Sequence, residues 1–198
     1  MQKIFSSFST LLEERLKAGV FTTEDSVRYT FFQALTQGDH YQHTDIVLEY
    51  PHPEIDRAQI DTLINAKDTL SSMAFEFKYD RRNPSNTNHN RTQRAGAVFK
   101  DLFRLGRIPD NTAEKKYFIY LTDDEMAVYF RNPRNGFAKF FALRFGKSFN
   151  IDSKFVLGRA RTFLDVVRPY QIDCKATGAF RSNLSQIHVL RIFDIQRL

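Results

Sequence analysis

The sequence predicts an α+β domain of three layers, a mixed sheet of four or more strands lying between helices. Three observations predict it. In "MAFEFKYD" polarity alternates with period two, so Phe75, Phe77 and Tyr79 share one strand face and Ala74, Glu76, Lys78 and Asp80 the other. In "QKIFSSFSTLLEERLK" and "RTQRAGAVFKDLFRLG" the apolar residues recur at helical spacing instead. These segments then follow one another as helix, strand, strand, strand, helix, strand. A chain of 198 residues, 42% hydrophobic with 20 phenylalanines, can bury a sizeable core, and one domain over 1–198 is expected.

The first helix carries its stripe on Ile4, Phe5, Phe8, Leu11, Leu12 and Leu16 and should stop near Gly19. A second follows in "FTTEDSVRYTFFQALTQG". Thr23 is its N-cap, Glu24 and Asp25 suit the positive end of the helix dipole, and Gly38 is placed to end it. "HTDIVLEYPHP" is a strand halted by Pro51 and Pro53, and "RAQIDTLI" a shorter one. After the polar turn "NAKD" the chain re-enters extended structure through "LSSMAFEFKYD", which makes the second and third strands an antiparallel pair. Residues 81–91 are polar, rich in asparagine and without apolar periodicity, so they form an exposed loop.

The next helix buries Ala95, Val98, Phe99, Leu102 and Phe103, with Gly106 closing it. "KKYFIYLT" is a buried strand and "DDEMAVYFRN" a short helix opened by aspartates. Beyond it, "FAKFFALRF" is assigned to a strand, "LGRARTFLDVVRPY" to a helix ending at Pro169, and "IHVLRIFDI" to a final strand. No internal repeat or low-complexity tract breaks this series.

A net charge of +6 favours polyanionic partners, nucleic acid among them. The single cysteine, Cys174, excludes an intrachain disulfide and a cysteine-based zinc site, which fits a reducing, cytoplasmic compartment. No segment approaches about eighteen uncharged apolar residues, so no membrane span is expected. His40, His43, His52, His89 and His188 have no metal-ligand spacing, although His89 sits where it could touch phosphate. Nucleotide-binding glycine loops and nucleophile elbows are absent, which removes the common ATPase, dinucleotide-enzyme and serine-hydrolase classes.

What remains is a set of acids and one lysine: Glu24, Asp61, Glu76 and Lys78, with Asp45 and Glu49 as further carboxylates on the first strand. Carboxylates on neighbouring strands offer hard oxygen ligands to magnesium, which can screen a phosphodiester and activate water. Lys78, two residues beyond Glu76, shares its strand face and could hold the attacking water. Each residue also has an ordinary explanation. Glu76 and Lys78 could be an exposed ion pair worth under about 1 kcal/mol, Asp61 a turn edge, and Glu24 a helix-start acid.

Taken in order, "TEDSVRY", "DIVLEYPHP", "QIDTLI", "AFEFKYDR", "RAGAVFKDLFRL" and "KYFIYLT" resemble the PD-(D/E)xK nuclease superfamily, the restriction-endonuclease-like fold. The likeness covers about residues 20–122 and leaves about 123–198 as a C-terminal elaboration. Gln59 and Ile60 stand where the motif's name expects proline before the aspartate. The resemblance implies a magnesium-dependent DNA endonuclease of restriction or host-defence type, with manganese as an alternative ion and repair as the neighbouring role. Asp61, Glu76 and the Phe77 main-chain carbonyl would hold metal, Lys78 would orient water and Glu24 would support. Arg81, Arg82, Arg91 and Arg94, around the start of the following helix, would meet the DNA backbone. A homodimer would set two sites against two strands. The alternative is a catalytically silent module that keeps the fold to bind nucleic acid or protein.

Overall fold

Helix formation begins at once. In the computed structural model, which describes residues 1–37, 41–65, 71–81, 91–185 and 187–198, α1 spans Gln2–Lys17 and buries Phe5, Phe8 and Leu12. Gly19 follows it at φ +66°, a left-handed turn that glycine adopts without strain. α2 spans Glu24–Thr36 behind the expected cap: Ser26 N donates to Thr23 Oγ1 and Thr23 N to Ser26 Oγ, both at 3.2 Å. Gly38, His40, residues 66–70 and residues 82–90, with Arg82 and His89, lie outside the described residues.

Three strands come next: β1 Ile46–Pro51, β2 Gln59–Ile64 and β3 Met73–Asp80. α3 (Arg91–Arg107) returns over them, and β4 (Lys115–Thr122) lies parallel to β3, as a strand–helix–strand crossover allows. The order helix, three strands, helix, strand is the predicted one. After α4 (Asp124–Arg131), the chain makes the short helices α5 (Ala138–Phe141), α6 (Ser153–Leu157) and α7 (Arg161–Val167), with β5 (Ser148–Ile151) between α5 and α6. It ends in the long hairpin β6 (Cys174–Leu184) and β7 (His188–Arg197).

The seven strands form one mixed sheet in the order β1-β2-β3-β4-β7-β6-β5. Since β7 pairs with β4, the C-terminal third extends the sheet begun by the N-terminal part. One sheet face packs Phe75, Phe77, Ile119 and Ile192 against α1 and α2. The other packs Ala74, Phe118 and Phe193 against α3, α4, α5 and α7, around a cluster of Phe99, Phe137, Phe140 and Phe163. Helix, sheet and helix make the three expected layers. No helix among the described residues is long and apolar enough to cross a membrane.

Four local assignments change. "FAKFFALRF" is not a strand: Phe140 and Phe141 enter the core together from α5, because neighbours on a single helical turn stand only about 100° apart, whereas an alternating strand would send them to opposite faces. Gly106 does not close α3, which runs on to Arg107; its missing side chain lets Ile172 approach, a Cβ there falling 3.1 Å from Ile172 Cδ1. Asp45 belongs to a 3₁₀ turn before β1, where its Oδ2 accepts from Gln42 N at 2.8 Å. Of the helix expected from Leu157 to Pro169 only α7, Arg161–Val167, is an α-helix beyond Leu157, where the unpredicted α6 ends before Gly158. β5 and β6 were absent from the sequence reading.

Candidate active site

β2 and β3 begin as partners and then part. Their register pairs Ile64 with Met73, Leu63 with Ala74 and Thr62 with Phe75, and no further. Extended by one residue it would set Asp61 abreast of Glu76. From that point β3 keeps β4 on one side, while among the described residues no strand pairs with its other edge. Unpaired main-chain donors there need acceptors, and two predicted site acids supply them. Asp61 Oδ2 accepts from Phe77 N at 2.8 Å, and Glu24 Oε2 from Tyr79 N at 2.9 Å. A strand residue's N–H and C=O point to the same side, so the Phe77 carbonyl faces this open edge too.

Asp61, Glu76, Lys78 and Glu24 are therefore gathered at one fork in the sheet, beneath α3 and beside the start of α2. Lys78 Nζ lies 3.4 Å from Glu24 Oε2 and 4.0 Å from Asp101 Oδ2. Arg104 reaches Glu76 Oε1 at 3.3 Å and Asp101 Oδ1 at 3.4 Å, and also donates to the Gln59 carbonyl. On the far side Arg28 contacts Asp61 Oδ1 at 3.5 Å and donates to Glu49 Oε1 at 2.6 Å. Glu49 lies opposite Asp61 on β1, where the pairing skips it and its φ is +50°, a strained conformation for a residue with a side chain.

Five carboxylates (Glu24, Glu49, Asp61, Glu76, Asp101) thus face three cations (Arg28, Lys78, Arg104), an excess of two negative charges when all are ionised. Burial and this crowding decide the proton affinities. Glu76, 2% exposed, is raised well above the usual carboxylate range, first by burial and then by the charge of Asp61, with Arg104 opposing. Asp61 is raised by burial against the pull of the Phe77 N–H and Arg28. Asp101 is pushed up to about 6, chiefly by burial. Lys78 goes the other way from most buried lysines: burial lowers its pKa, but Glu24, Asp101 and Asp80 more than offset that, so it stays protonated.

Glu76 Oε1 is buried and accepts no hydrogen bond. Among the described residues, no three histidine, cysteine, aspartate or glutamate side chains converge to hold a metal ion between them. Magnesium asks for less, since it keeps several waters and often takes only one or two carboxylates from the protein. Two neighbouring carboxylates, one with an oxygen that accepts no hydrogen bond, at a strand edge left unpaired among the described residues, fit a small divalent cation whose charge would displace their protons.

The expected DNA-contacting arginines divide. Arg81 is exposed with its guanidinium 4.4 Å from the Phe21 ring, and Arg91, over half exposed, pairs with Glu125 at 3.0 Å. Arg94 turns inward, its Nε donating to Asp80 Oδ1 at 3.1 Å and its Nη2 to the Arg81 carbonyl. Asp80 also accepts from Tyr120 Oη at 2.8 Å, so this arginine is part of a buried network. His52 is a satisfied histidine: Nδ1 accepts from Glu54 N and Nε2 donates to the Arg104 carbonyl, the neutral form that burial favours.

Asp101, Arg104 and Arg28 are the site residues that sequence reasoning missed. A signal existed. Arg94, Asp101 and Arg104 recur at spacings of seven and three, which places them on one helix face, and Arg28 stands one turn beyond Glu24. A cleft of about 470 Å³ opens beside the fork between Glu49, Gln59, Asp61, Lys100, Arg104 and Tyr170. It gives Asp61 a route to solvent past Lys100 and Arg104. No protein family, no curated protein and no solved structure matches this chain.

Proposed function

We propose that the chain is a magnesium-dependent DNA endonuclease with a restriction-endonuclease-like core over about residues 20–122. The observation that carries this reading is the fork itself: Asp61 and Glu24 cap the free edge of β3 while Glu76 and Lys78 project from the strand between them. A solvated ion pair would need neither the burial of Glu76 nor the parting of the strands.

Asp61, Glu76 and the Phe77 carbonyl would hold the ion, with manganese as a substitute. When bound, magnesium screens the phosphodiester and lowers the pKa of water. Lys78, kept protonated by Glu24 and Asp101, can donate a hydrogen bond to the attacking water and offset developing charge, but cannot act as the base. Asp101, at about 6 and 4.0 Å from the ammonium, lies in the range that lets a carboxylate take a proton near neutrality. Arg104 and Lys100 at the cleft, with Arg81 and Arg91 near the helix start, supply cations for the phosphate backbone. The net charge of +6 suits the same partner. A restriction or host-defence role is the form this reading takes.

A second reading, a silent nucleic-acid-binding module, draws on Arg28 and Arg104, which already neutralise Asp61 and Glu76 in part. Supercoiled plasmid separates the two. With magnesium the wild type should nick or linearise it and Lys78→Ala should not, while calcium supports binding without turnover. Equal behaviour of wild type and Lys78→Ala would remove the mechanism, and binding indifferent to chelation, without cleavage, would establish the silent module.

A further inference from the structure

Away from the fork, Arg181 on β6 and Arg191 on β7 stand directly opposite each other in the antiparallel register. Like charges in that position repel, and a native sheet places them so only with something to offset the repulsion. Arg131, from the end of α4, joins them around a pocket of about 200 Å³ whose remaining walls are Ser182 and Asn183. Among the described residues no carboxylate lines it. Among the described residues none of the three arginines takes part in an ion pair.

Arg191 is 7% exposed, so it is a buried cation without a counter-ion. Its position is held from one side. Nε donates to the Phe141 carbonyl at 3.3 Å, and Nη1 to the carbonyls of Leu190 and Ser182 at 2.9 and 3.4 Å. Among the described residues Nη2 has no hydrogen-bond acceptor. The Phe141 ring lies 5.1 Å from the Arg191 guanidinium and 5.9 Å from that of Arg131, so one aromatic ring braces two of the cations.

We propose that Arg131, Arg181 and Arg191 form a binding pocket for a phosphoryl group. Planar guanidinium forks match phosphate oxygens two at a time, and Ser182 and Asn183 add neutral polar contacts. The volume admits one such group and not a whole nucleotide. Burial first, and then the charges of Arg131 and Arg181, lower the Arg191 pKa to about 10, a state that a bound dianion would relieve. Lys78, Tyr120, Arg191 and Arg181 stand abreast across four strands, so the Arg181 backbone is roughly 14 Å from that of Lys78 at ~4.8 Å per strand. The inference stands independently of DNA cleavage.

Inorganic phosphate is the first probe, followed by thermal denaturation and calorimetric titration in a non-coordinating buffer. Saturable stabilisation of the wild type is expected, with affinity at least about tenfold weaker in the double variant Arg131→Gln, Arg181→Gln. Both positions are exposed, so the variant should fold, and without phosphate it should be no less stable than wild type. Arg191→Lys, which keeps the charge and loses the fork, should weaken binding as well. No saturable binding, or equal binding by wild type and the double variant, overturns the proposal. A short oligonucleotide with and without a 5′-phosphate then identifies the source. Displacement of free phosphate only by the phosphorylated strand assigns the pocket to a nucleic-acid terminus, and displacement by neither assigns it to a free phosphate compound.

Discussion

Replacing Asp101 by asparagine should make the protein more resistant to neutral pH than the wild type is. The wild-type carboxyl is raised from the ordinary 3.8 to about 6, by burial first, with Lys78, Arg104 and Lys100 opposing. The folded state therefore holds this proton more tightly than the unfolded chain does. Stability from that difference is fully present below 3.8 and is lost as pH rises through about 6. The gap of about two pH units, at 1.36 kcal/mol each, corresponds to about 3 kcal/mol. Asparagine does not ionise and escapes this loss. Urea unfolding of both proteins should show the stability of Asp101→Asn minus that of wild type growing by about 3 kcal/mol between pH 3.5 and pH 7. Any fixed packing cost of the substitution cancels in that difference. A constant difference, or one that falls with pH, would show that the contacts to Lys78 and Arg104 outweigh burial, and the electrostatic account of the site would fail.

Titration with magnesium should raise the melting temperature of the wild type, by about 1.4 kcal/mol of stability at ten times the dissociation constant, and leave Glu76→Gln unmoved; equal responses would place the ion elsewhere. Tyr120→Phe removes a buried hydrogen bond to Asp80 and should cost about 1.5–3 kcal/mol in denaturant unfolding, since the acceptor is charged. Gly178→Ala drives a Cβ into the Arg144 main-chain oxygen where β6 bulges, and a loss of about 2 kcal/mol or more is expected by the same measurement. Thr23→Ala should cost about 1 kcal/mol through the lost cap of α2, with Thr23→Ser near neutral.

The legible parts of the fold were those whose pattern is local. Period-two alternation placed β3, the Thr23 cap with the acids behind it placed α2, and the apolar stripe placed α3, because each depends on residues within one or two turns of one another. β6 escaped notice for a physical reason: "CKATGAFRSNL" mixes small, polar and charged residues, and only pairing with β7 on one side and β5 on the other makes it a strand. α5 was mistaken for a strand because four residues are too few to separate period two from period 3.6.

The site divides in the same way. Glu24, Asp61, Glu76 and Lys78 could be chosen from the order of the segments, since strand parity alone puts Glu76 and Lys78 on one face. Asp45 and Glu49 could not be told apart by parity, and the tertiary structure separates them: Asp45 caps a turn, while Glu49 lies across from Asp61 and shares Arg28 with it. The sequence by itself determined which residue types alternate and which segments coil. Only the tertiary structure decided that β2 leaves β3 after three pairs, that Asp61 and Glu24 then satisfy the freed donors, and that Asp101 and Arg104 descend from α3 onto the same point. Burial and charge at that point arise from segments distant in the chain, and no local spacing encodes them.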